Sequence, residues 1–132
     1  MRILVAEDDR VSRKFMGEFM SAYGEVDVAV DGMEALDLYM DAIKKKKPYD
    51  LGCIDIMMPR VDGLKFVKVV RTLEAQHAEA GDHRLRIIMM TALADADYVD
   101  RAFKLGCDAY ASKPVDTERV VEVMKNLGLI ED

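Results

Sequence analysis

A short apolar run near the middle of the chain ends in a single carboxylate, and that carboxylate is the first candidate for chemistry. Residues 51–54 are apolar, Asp55 follows them directly, and the turn residues Pro59, Asp62 and Gly63 lie just beyond. A buried strand that ends in one acid and then turns presents a reactive group at the edge of a parallel sheet. Asp55 is therefore predicted to lie at such an edge.

Polar side chains also follow the other apolar runs of the chain. Acids follow the first run, a hydroxyl ends the fourth and an ammonium follows the fifth: Glu7, Asp8 and Asp9; Thr91; and Lys113. The carboxyl ends of parallel strands meet at one edge of a sheet, and ligands bind there at the point where the strand order reverses. Three or four carboxylates, one hydroxyl and one ammonium are therefore expected to share a small crevice.

This set of groups predicts metal-dependent phosphoryl transfer. The carboxylates would repel one another without a counter-charge, and a divalent cation resolves that conflict. An all-oxygen ligand set suits Mg²⁺ or Mn²⁺ better than Zn²⁺. Asp55 can then act as a nucleophile towards phosphorus, while Lys113 neutralises charge on the transferred group and the Thr91 hydroxyl donates to one of its oxygens.

The elements that position these residues follow from the hydrophobic pattern. Five strands are predicted, at residues 3–6, 25–30, 51–55, 85–91 and 108–112, and helical patterns alternate with them. The first, third and fourth runs are almost continuously apolar, as central parallel strands are, whereas the second and fifth alternate. Right-handed crossovers then give the strand order 2-1-3-4-5. The predicted fold is an α/β, doubly wound, five-stranded parallel sheet in a flavodoxin-like three-layer sandwich.

The helical patterns also predict which side chains face the sheet. The five predicted inner faces, one for each helix in chain order, are as follows: first, Val11, Phe15 and Phe19, with Met16, Met20 and Tyr23; second, Ala35, Leu36, Tyr39, Met40 and Ile43; third, Phe66, Val67, Val70 and Leu73; fourth, Val99, Ala102 and Phe103; fifth, Val120, Val121, Met124 and Leu127. Residues 74–84 are polar and are expected to form a helix end followed by a surface connection.

Composition limits the class of protein. The 132 residues are expected to form one domain, and 19 basic against 25 acidic residues give a net charge of −6, which argues against nucleic acid as the main partner. The lysine run 44–47 is expected to be a solvated helix end. Cys53 and Cys107 form no metal-binding or disulfide motif, and no segment is long and apolar enough to span a membrane. A cytoplasmic location is therefore expected.

The motifs together resemble one known family. ILVAEDD, DIMMPRVDG, MMTA and YASKP occur in order, each at a predicted strand end, and over its whole length the chain resembles a response-regulator receiver domain of bacterial two-component systems. The resemblance implies that Asp55 is the phosphoacceptor. It also implies Mg²⁺ held by Asp8, Asp55 and the Met57 carbonyl, with Glu7 acting through water.

The resemblance further implies a signalling role rather than an enzyme. Thr91, Lys113 and the switch residue Tyr110 match the family pattern, and the bond between Lys113 and Pro114 is expected to be cis. The implied partners are a sensor histidine kinase or phosphotransfer protein, and a downstream protein that binds the surface of helix 4, strand 5 and helix 5. Without the resemblance, a tyrosine on an edge strand is usually a packing residue.

Two residues of this chain depart from the pattern of the receiver family. Met57 and Leu93 stand where many family members carry polar residues that orient a water molecule, so slow self-dephosphorylation is expected.

Three other kinds of protein are weighed against a stand-alone receiver. A stand-alone, chemotaxis-like receiver is expected, although a receiver cut from a longer regulator would have the same sequence. An aspartyl-nucleophile phosphatase usually carries a second aspartate where Met57 stands, and a flavodoxin-like carrier would need a glycine-rich phosphate loop after the first strand.

Overall fold

The computed structural model describes residues 1–76, 83–92 and 96–131. The strands are β1 (Arg2–Ala6), β2 (Glu25–Ala29), β3 (Leu51–Asp55), β4 (Arg86–Thr91) and β5 (Ala109–Ser112). The helices are α1 (Arg10–Met20), α2 (Gly32–Lys44), α3 (Gly63–Gln76), α4 (Ala96–Leu105) and α5 (Thr117–Asn126). The strands pair in parallel in the order β2-β1-β3-β4-β5, which confirms the predicted topology.

The sheet is buried on both faces at its centre and partly exposed at its edges. Every residue of β3 is buried, and so are all but the first residue of β1 and of β4. β2 and β5 mix buried and exposed positions, because each has a neighbouring strand on one side only. The distinction between continuous and alternating apolar runs therefore identified the edge strands correctly.

Two apolar layers cover the two faces of the sheet. Alternate residues of one strand point to opposite faces, so Leu4 joins one layer while Ile3 and Val5 join the other. The first layer includes Phe66 of α3 together with residues of α2 and α4, and the second includes Met16 of α1 together with residues of α5. The three-layer arrangement is the predicted one, and it leaves the carboxyl edge of the sheet to the connecting loops.

Aspartates cap α1, α2 and α5 close to the ends of the preceding strands, and Asp62 caps α3 after a longer loop. The Asp9 carboxylate accepts from the Ser12 N–H at 2.8 Å, and the same kind of cap stands at Asp31 of α2 and at Asp116 of α5. The bond from Ser12 lowers the pKa of Asp9. α1, α2 and α5 each start within a few residues of the preceding strand, so these three loops are short.

The predicted inner face of α1 is wrong at two positions. Val11 is 77% exposed and Phe15 is 46% exposed, whereas Met16 and Met20 are buried against the sheet. A Cβ atom on Gly17 would lie 3.3 Å from Val28 of β2, so the helix approaches the sheet through its small residue. The apolar stripe of α1 is wider than this contact face, and Val11 and Phe15 lie on the part that the contact leaves exposed.

The predicted inner face of α2 is also wrong at two positions. Met40 is 44% exposed and Ile43 is 41% exposed, while Ala35, Tyr39 and Ala42 are buried. Small alanines allow the helix to lie close to the sheet, and the Tyr39 ring fills the space between α2 and α3, edge-on to the ring of Phe66. Leu36 is only partly buried.

In α4 the prediction is right for Ala102, which is 1% exposed, and wrong for Phe103, which is 44% exposed. Phe103 packs instead edge-to-face against Tyr110 of β5, with 6.2 Å between the ring centroids. Gly106 follows the helix with φ of 113°, the left-handed conformation that a helix-ending glycine supplies.

The remaining structural expectations are met where the structure describes the chain. The lysine run 44–47 is exposed, Cys53 and Cys107 are buried and unbridged, and α3 extends to Gln76. Residues 77–82 of the polar connection lie outside the described residues. Among the described residues, none of the helices is both long enough and apolar enough to pass through a bilayer.

Candidate functional site

Three carboxylates meet where β1 and β3 end side by side. Ala6 of β1 pairs with Ile54 of β3, so the next residues, Glu7 and Asp55, are neighbours at the carboxyl edge of the sheet. One oxygen from each of Glu7, Asp8 and Asp55 lies within 4.8 Å of the other two. Glu7 is 3% exposed and Asp55 is 4% exposed, whereas Asp8 is open to solvent. The structure thus brings together three of the four acids that the sequence analysis named, and the fourth, Asp9, caps α1.

Lys113 links the acids of both strands. Its Nζ lies 2.6 Å from Glu7 Oε1 and 3.2 Å from Asp55 Oδ2. The residue stands just after β5, at the cis bond to Pro114 that was expected, and its backbone N–H donates to the carbonyl of Thr91 at 2.7 Å. Thr91 is itself 2% exposed at the end of β4. Lys113 therefore contacts the carboxylates at the ends of β1 and β3, and its backbone adjoins the end of β4, where Thr91 stands.

Burial and neighbouring charges shift the pKa values of Glu7 and Lys113. Burial raises the pKa of Glu7 to about 7, and a hydrogen bond with Asp55 and the negative charge of Asp55 add to that rise, whereas Lys113 opposes it. Burial lowers the pKa of Lys113, but the hydrogen bond to Glu7 and the charges of Asp55 and Glu7 outweigh burial, so the pKa is raised. Lys113 therefore carries its positive charge throughout the physiological range.

Two arginines that the sequence analysis did not single out hold the loops of the site. Arg13 of α1 donates from Nη1 to the carbonyls of Glu7 and Asp8, at 2.9 and 3.3 Å. Arg60 donates from Nε to Asp31 Oδ2 at 3.0 Å, and its Nη2 contacts the same oxygen. Arg60 lies within the DIMMPRVDG motif, but its partner Asp31 is 29 residues away in the chain and is brought to it by the tertiary structure.

The loop between β3 and α3 is supported from both sides. Ile56 N–H donates to the Met90 carbonyl at 3.0 Å, and a Cβ atom on Gly32 would lie 1.8 Å from the Val61 carbonyl oxygen. Met57 lies on this loop, 52% exposed, and its N–H donates to Asp55 Oδ1 at 3.3 Å. The backbone next to Asp55 is thereby fixed by two neighbouring elements.

The residue that the family resemblance implies as the switch, Tyr110, lies at the surface. The Tyr110 side chain is 37% exposed and packs on Phe103 at the surface of β5 and α4. Met57 flanks Asp55, whereas Leu93, the second residue predicted to slow dephosphorylation, lies outside the described residues.

The donor set of the crevice fits a hard divalent cation. Glu7, Asp8 and Asp55 offer only oxygen atoms, and they converge from two adjacent strand ends. Carboxylate oxygens together with water are the ligands that Mg²⁺ and similar ions take in proteins, and softer metals favour nitrogen or sulfur. The described acidic cluster is therefore compatible with a cation such as Mg²⁺.

Comparison with known families accounts for this arrangement. The family described as "response regulator receiver domain" matches residues 3–125 of the chain. The chain belongs to this family. It is thus a receiver domain of two-component signalling, and membership favours a signalling module over the phosphatase and the flavin carrier considered from the sequence.

Curated relatives of this receiver domain are longer proteins. It is 35% identical over 128 residues to the response regulator MprA of Mycobacterium sp. (strain KMS), covering 96% of this chain and 50% of that protein. It is 30% identical over 134 residues to the probable histidine kinase 2 of Oryza sativa subsp. indica, covering 94% of this chain and 12% of the kinase. The chain therefore spans half or less of the length of these two relatives.

A solved structure shows the same fold. The chemotaxis protein CheY4 of Vibrio cholerae superposes with a TM-score of 0.76 at 25% sequence identity, covering 95% of this chain and 96% of that one. The agreement extends over nearly the whole of both chains, so the doubly wound sheet described above is the receiver fold.

Proposed function

We propose that Asp55 accepts a phosphoryl group from a phosphohistidine on a sensor histidine kinase or a phosphotransfer protein. The observation that carries the proposal is the position of Asp55 as the last residue of the central strand β3, where it is buried, belongs to the acidic cluster and lies 3.2 Å from Lys113 Nζ. A carboxylate oxygen is a competent nucleophile when positive groups surround the phosphorus it attacks.

The transfer exchanges one bond for another. An Asp55 oxygen attacks phosphorus, the phosphorus–nitrogen bond of the donor breaks, and the histidine ring keeps the electron pair and takes up a proton. Lys113 neutralises charge on the phosphoryl oxygens, and the Thr91 hydroxyl donates to one of them. In this proposal Asp8, Asp55 and the Met57 carbonyl hold Mg²⁺, or Mn²⁺, with Glu7 acting through water. When bound, the metal would supply positive charge that offsets the negative charge of the transferred group.

Phosphorylation is proposed to alter a protein-binding surface formed by α4, β5 and α5. The new charge at Asp55 draws Thr91 and Lys113 towards it, and Tyr110, now exposed against Phe103, turns inward. The downstream partner is then a protein rather than nucleic acid. Residues 1–132 act as one receiver unit in this proposal, in the cytoplasm, where the two free cysteines remain reduced.

Phosphorylation by a radiolabelled small phosphodonor, acetyl phosphate, tests the assignment. The wild type should take up label in Mg²⁺ and lose most of it in EDTA, and Asp55→Asn should take up none. Asp62→Asn is the matched control, because Asp62 is a nearby exposed helix cap outside the carboxylate cluster, and asparagine is an equally good cap. Equal labelling of Asp55→Asn and the wild type would overturn the proposal.

A further inference from the structure

The loop that delivers two acids to the cluster is bonded through its backbone. Glu7 N–H donates to the Ala29 carbonyl of β2 at 3.1 Å, and Asp9, at the other end of the loop, caps α1. The carbonyls of Glu7 and Asp8 both accept from Nη1 of Arg13, at 2.9 and 3.3 Å. A single nitrogen atom thus binds the backbone of both acids that follow β1.

Arg13 binds these acids without using their carboxylates. Both acceptors are neutral carbonyl oxygens, so the bonds fix the peptide groups and leave the carboxylate oxygens to other ligands. One carboxylate oxygen of each acid lies within 4.8 Å of an Asp55 oxygen. Arg13 itself is half-buried on α1, so the two carboxylates are held relative to that helix through one side chain.

The two acids need this support to different degrees. Glu7 is 3% exposed, and Lys113 Nζ already holds its carboxylate at 2.6 Å. Asp8 is exposed to solvent. An exposed loop residue loses backbone freedom when its carboxylate takes a cation, and ordering one residue lowers affinity about tenfold. Support of the backbone before the cation arrives removes that loss, chiefly at Asp8.

Arg13 also opposes a cation through its own charge. Its guanidinium is positive and lies next to the acidic cluster. Interactions between solvent-exposed charges change an affinity by about fivefold at most. Groups that orient metal ligands change metal affinity by about 10- to 100-fold. The two effects have opposite signs, and orientation is the larger.

We propose that Arg13 is a positioning residue of the metal site, which holds the backbone of Glu7 and Asp8 so that their carboxylates face Asp55. It touches neither the cation nor the phosphoryl group, and it acts through the two acids. The inference rests on the cation binding included in the proposed function. Loss of Arg13 should therefore weaken cation binding, although a positive charge is removed.

Titration with Mn²⁺ tests the role of Arg13 in the absence of any phosphodonor. The electron paramagnetic resonance signal of the free ion measures how much Mn²⁺ is bound. Arg13→Met keeps an aliphatic stem and loses both bonds, so its dissociation constant for Mn²⁺ should be about tenfold higher than that of the wild type. Lys14→Met is the matched control: Lys14 is the exposed neighbour on α1, and its replacement removes the same charge, so binding should stay within about twofold of the wild type.

Three results of this titration would overturn the inference. Arg13→Met that binds Mn²⁺ as tightly as the wild type, or more tightly, makes repulsion by the guanidinium the main effect. Equal weakening in Lys14→Met assigns the loss to charge rather than to the loop. A wild type that binds no Mn²⁺ leaves Arg13 no metal site to position. Urea unfolding in EDTA verifies that each variant is folded.

Arg13→Lys separates the hydrogen bonds from the charge. One nitrogen of Arg13 makes both bonds, so a lysine ammonium can replace part of the contact. A positive charge without the bonds would make Mn²⁺ binding weaker than in Arg13→Met. Arg13→Lys should instead bind Mn²⁺ about threefold more tightly than Arg13→Met. Equal or weaker binding by the lysine variant would contradict a role through hydrogen bonds.

Phosphorylation by acetyl phosphate at increasing Mg²⁺ concentration distinguishes positioning from a merely structural role. For Arg13→Met the Mg²⁺ concentration at half-maximal rate should rise about tenfold, and the rate at saturating Mg²⁺ should stay within about twofold of the wild type. A lower maximal rate with an unchanged half-saturating concentration would refute the positioning role. A wild type that takes up no label overturns the proposed function, whereas the Mn²⁺ titration still decides the role of Arg13.

Discussion

At the scale of single residues, the positive charge of one lysine offsets part of the negative charge of the acids in the crevice. Lys113 contacts Glu7 of the β1 end and Asp55 of the β3 end, and it comes from a third strand end. The lysine partly compensates the acids in the protein without metal. The high pKa of Glu7, about 7, shows that the compensation is incomplete, because burial still disfavours the charged carboxylate.

Glu7 should make stability fall as pH rises. Its pKa is 4.5 as a free side chain and about 7 in the folded protein, so between these values the folded state binds more protons than the unfolded state. In EDTA the wild type should therefore lose about 1 to 3 kcal/mol of unfolding free energy relative to Glu7→Gln between pH 4.5 and pH 7. Urea unfolding at a series of pH values measures the difference. Parallel curves for the two proteins would contradict the prediction.

Met57 should control the lifetime of phosphorylated Asp55. An exposed methionine two residues after Asp55 offers no hydrogen bond to an attacking water, whereas an asparagine there can orient one. Met57→Asn should therefore lose label about tenfold faster than the wild type, a change of about 1.4 kcal/mol in barrier. Decay of radiolabelled protein after removal of the phosphodonor measures the rate. Met40→Asn is the control at a methionine of similar exposure, and an unchanged rate in Met57→Asn would refute the prediction.

At the scale of elements, the N-terminus of α2 supports the loop next to Asp55. Asp31 both caps α2 and accepts from Arg60 of the β3–α3 loop. The Asp31 pKa is lowered, because the Glu34 N–H and Arg60 both favour its charged form. Gly32 touches the backbone of Val61 so closely that no side chain fits between them. A shift of the β3–α3 loop would therefore require a matching shift at the N-terminus of α2.

Gly32→Ala should destabilise the protein and disturb the site. The new Cβ atom would lie 1.8 Å from the Val61 carbonyl oxygen, a backbone atom, so the loop must shift at a cost of about 1 to 3 kcal/mol. Urea unfolding measures the loss, and a Mg²⁺ titration should show weaker binding. Gly17→Ala is the control, because its Cβ atom would meet one flexible side chain at 3.3 Å and alanine favours the helix. Equal stability of the two variants would contradict the prediction.

At the scale of the whole molecule, the two edges of the sheet differ in how they are held. At the amino edge, Arg71 of α3 is tied to the Gly106 and Leu85 carbonyls at 2.9 and 2.7 Å, and to Glu74 and Asp108. At the carboxyl edge, acids with the same sign of charge face one another. The molecule thus has a well-paired edge and an edge that a cation would stabilise.

Mg²⁺ should raise the stability of the whole domain. A ligand that binds only the folded state at one hundred times its dissociation constant adds about 2.7 kcal/mol, which raises the melting temperature by several degrees. Thermal unfolding with and without Mg²⁺ measures the shift. Asp55→Asn should lose most of it, and Asp62→Asn, outside the acidic cluster, should keep it. A wild type indifferent to Mg²⁺ would contradict a metal site here.

The sequence by itself determined the strand order and the gathering of the acids at one edge. Both follow from local features, namely the apolar runs and the polar residue after each, combined with a general rule of parallel topology. Glu7, Asp8, Asp55 and Lys113 could be placed together for that reason.

Only the tertiary structure decided how each helix is turned about its axis and what the long basic side chains bind. The apolar stripe of a helix is wider than its contact with a sheet, so close approach of Gly17 in α1 and of Ala35 and Ala42 in α2 selected the inner face. As a result, Phe15 and Met40 are exposed to solvent. Likewise, arginine side chains reach several possible acceptors, and the final packing of the loops determines which one lies within bonding distance.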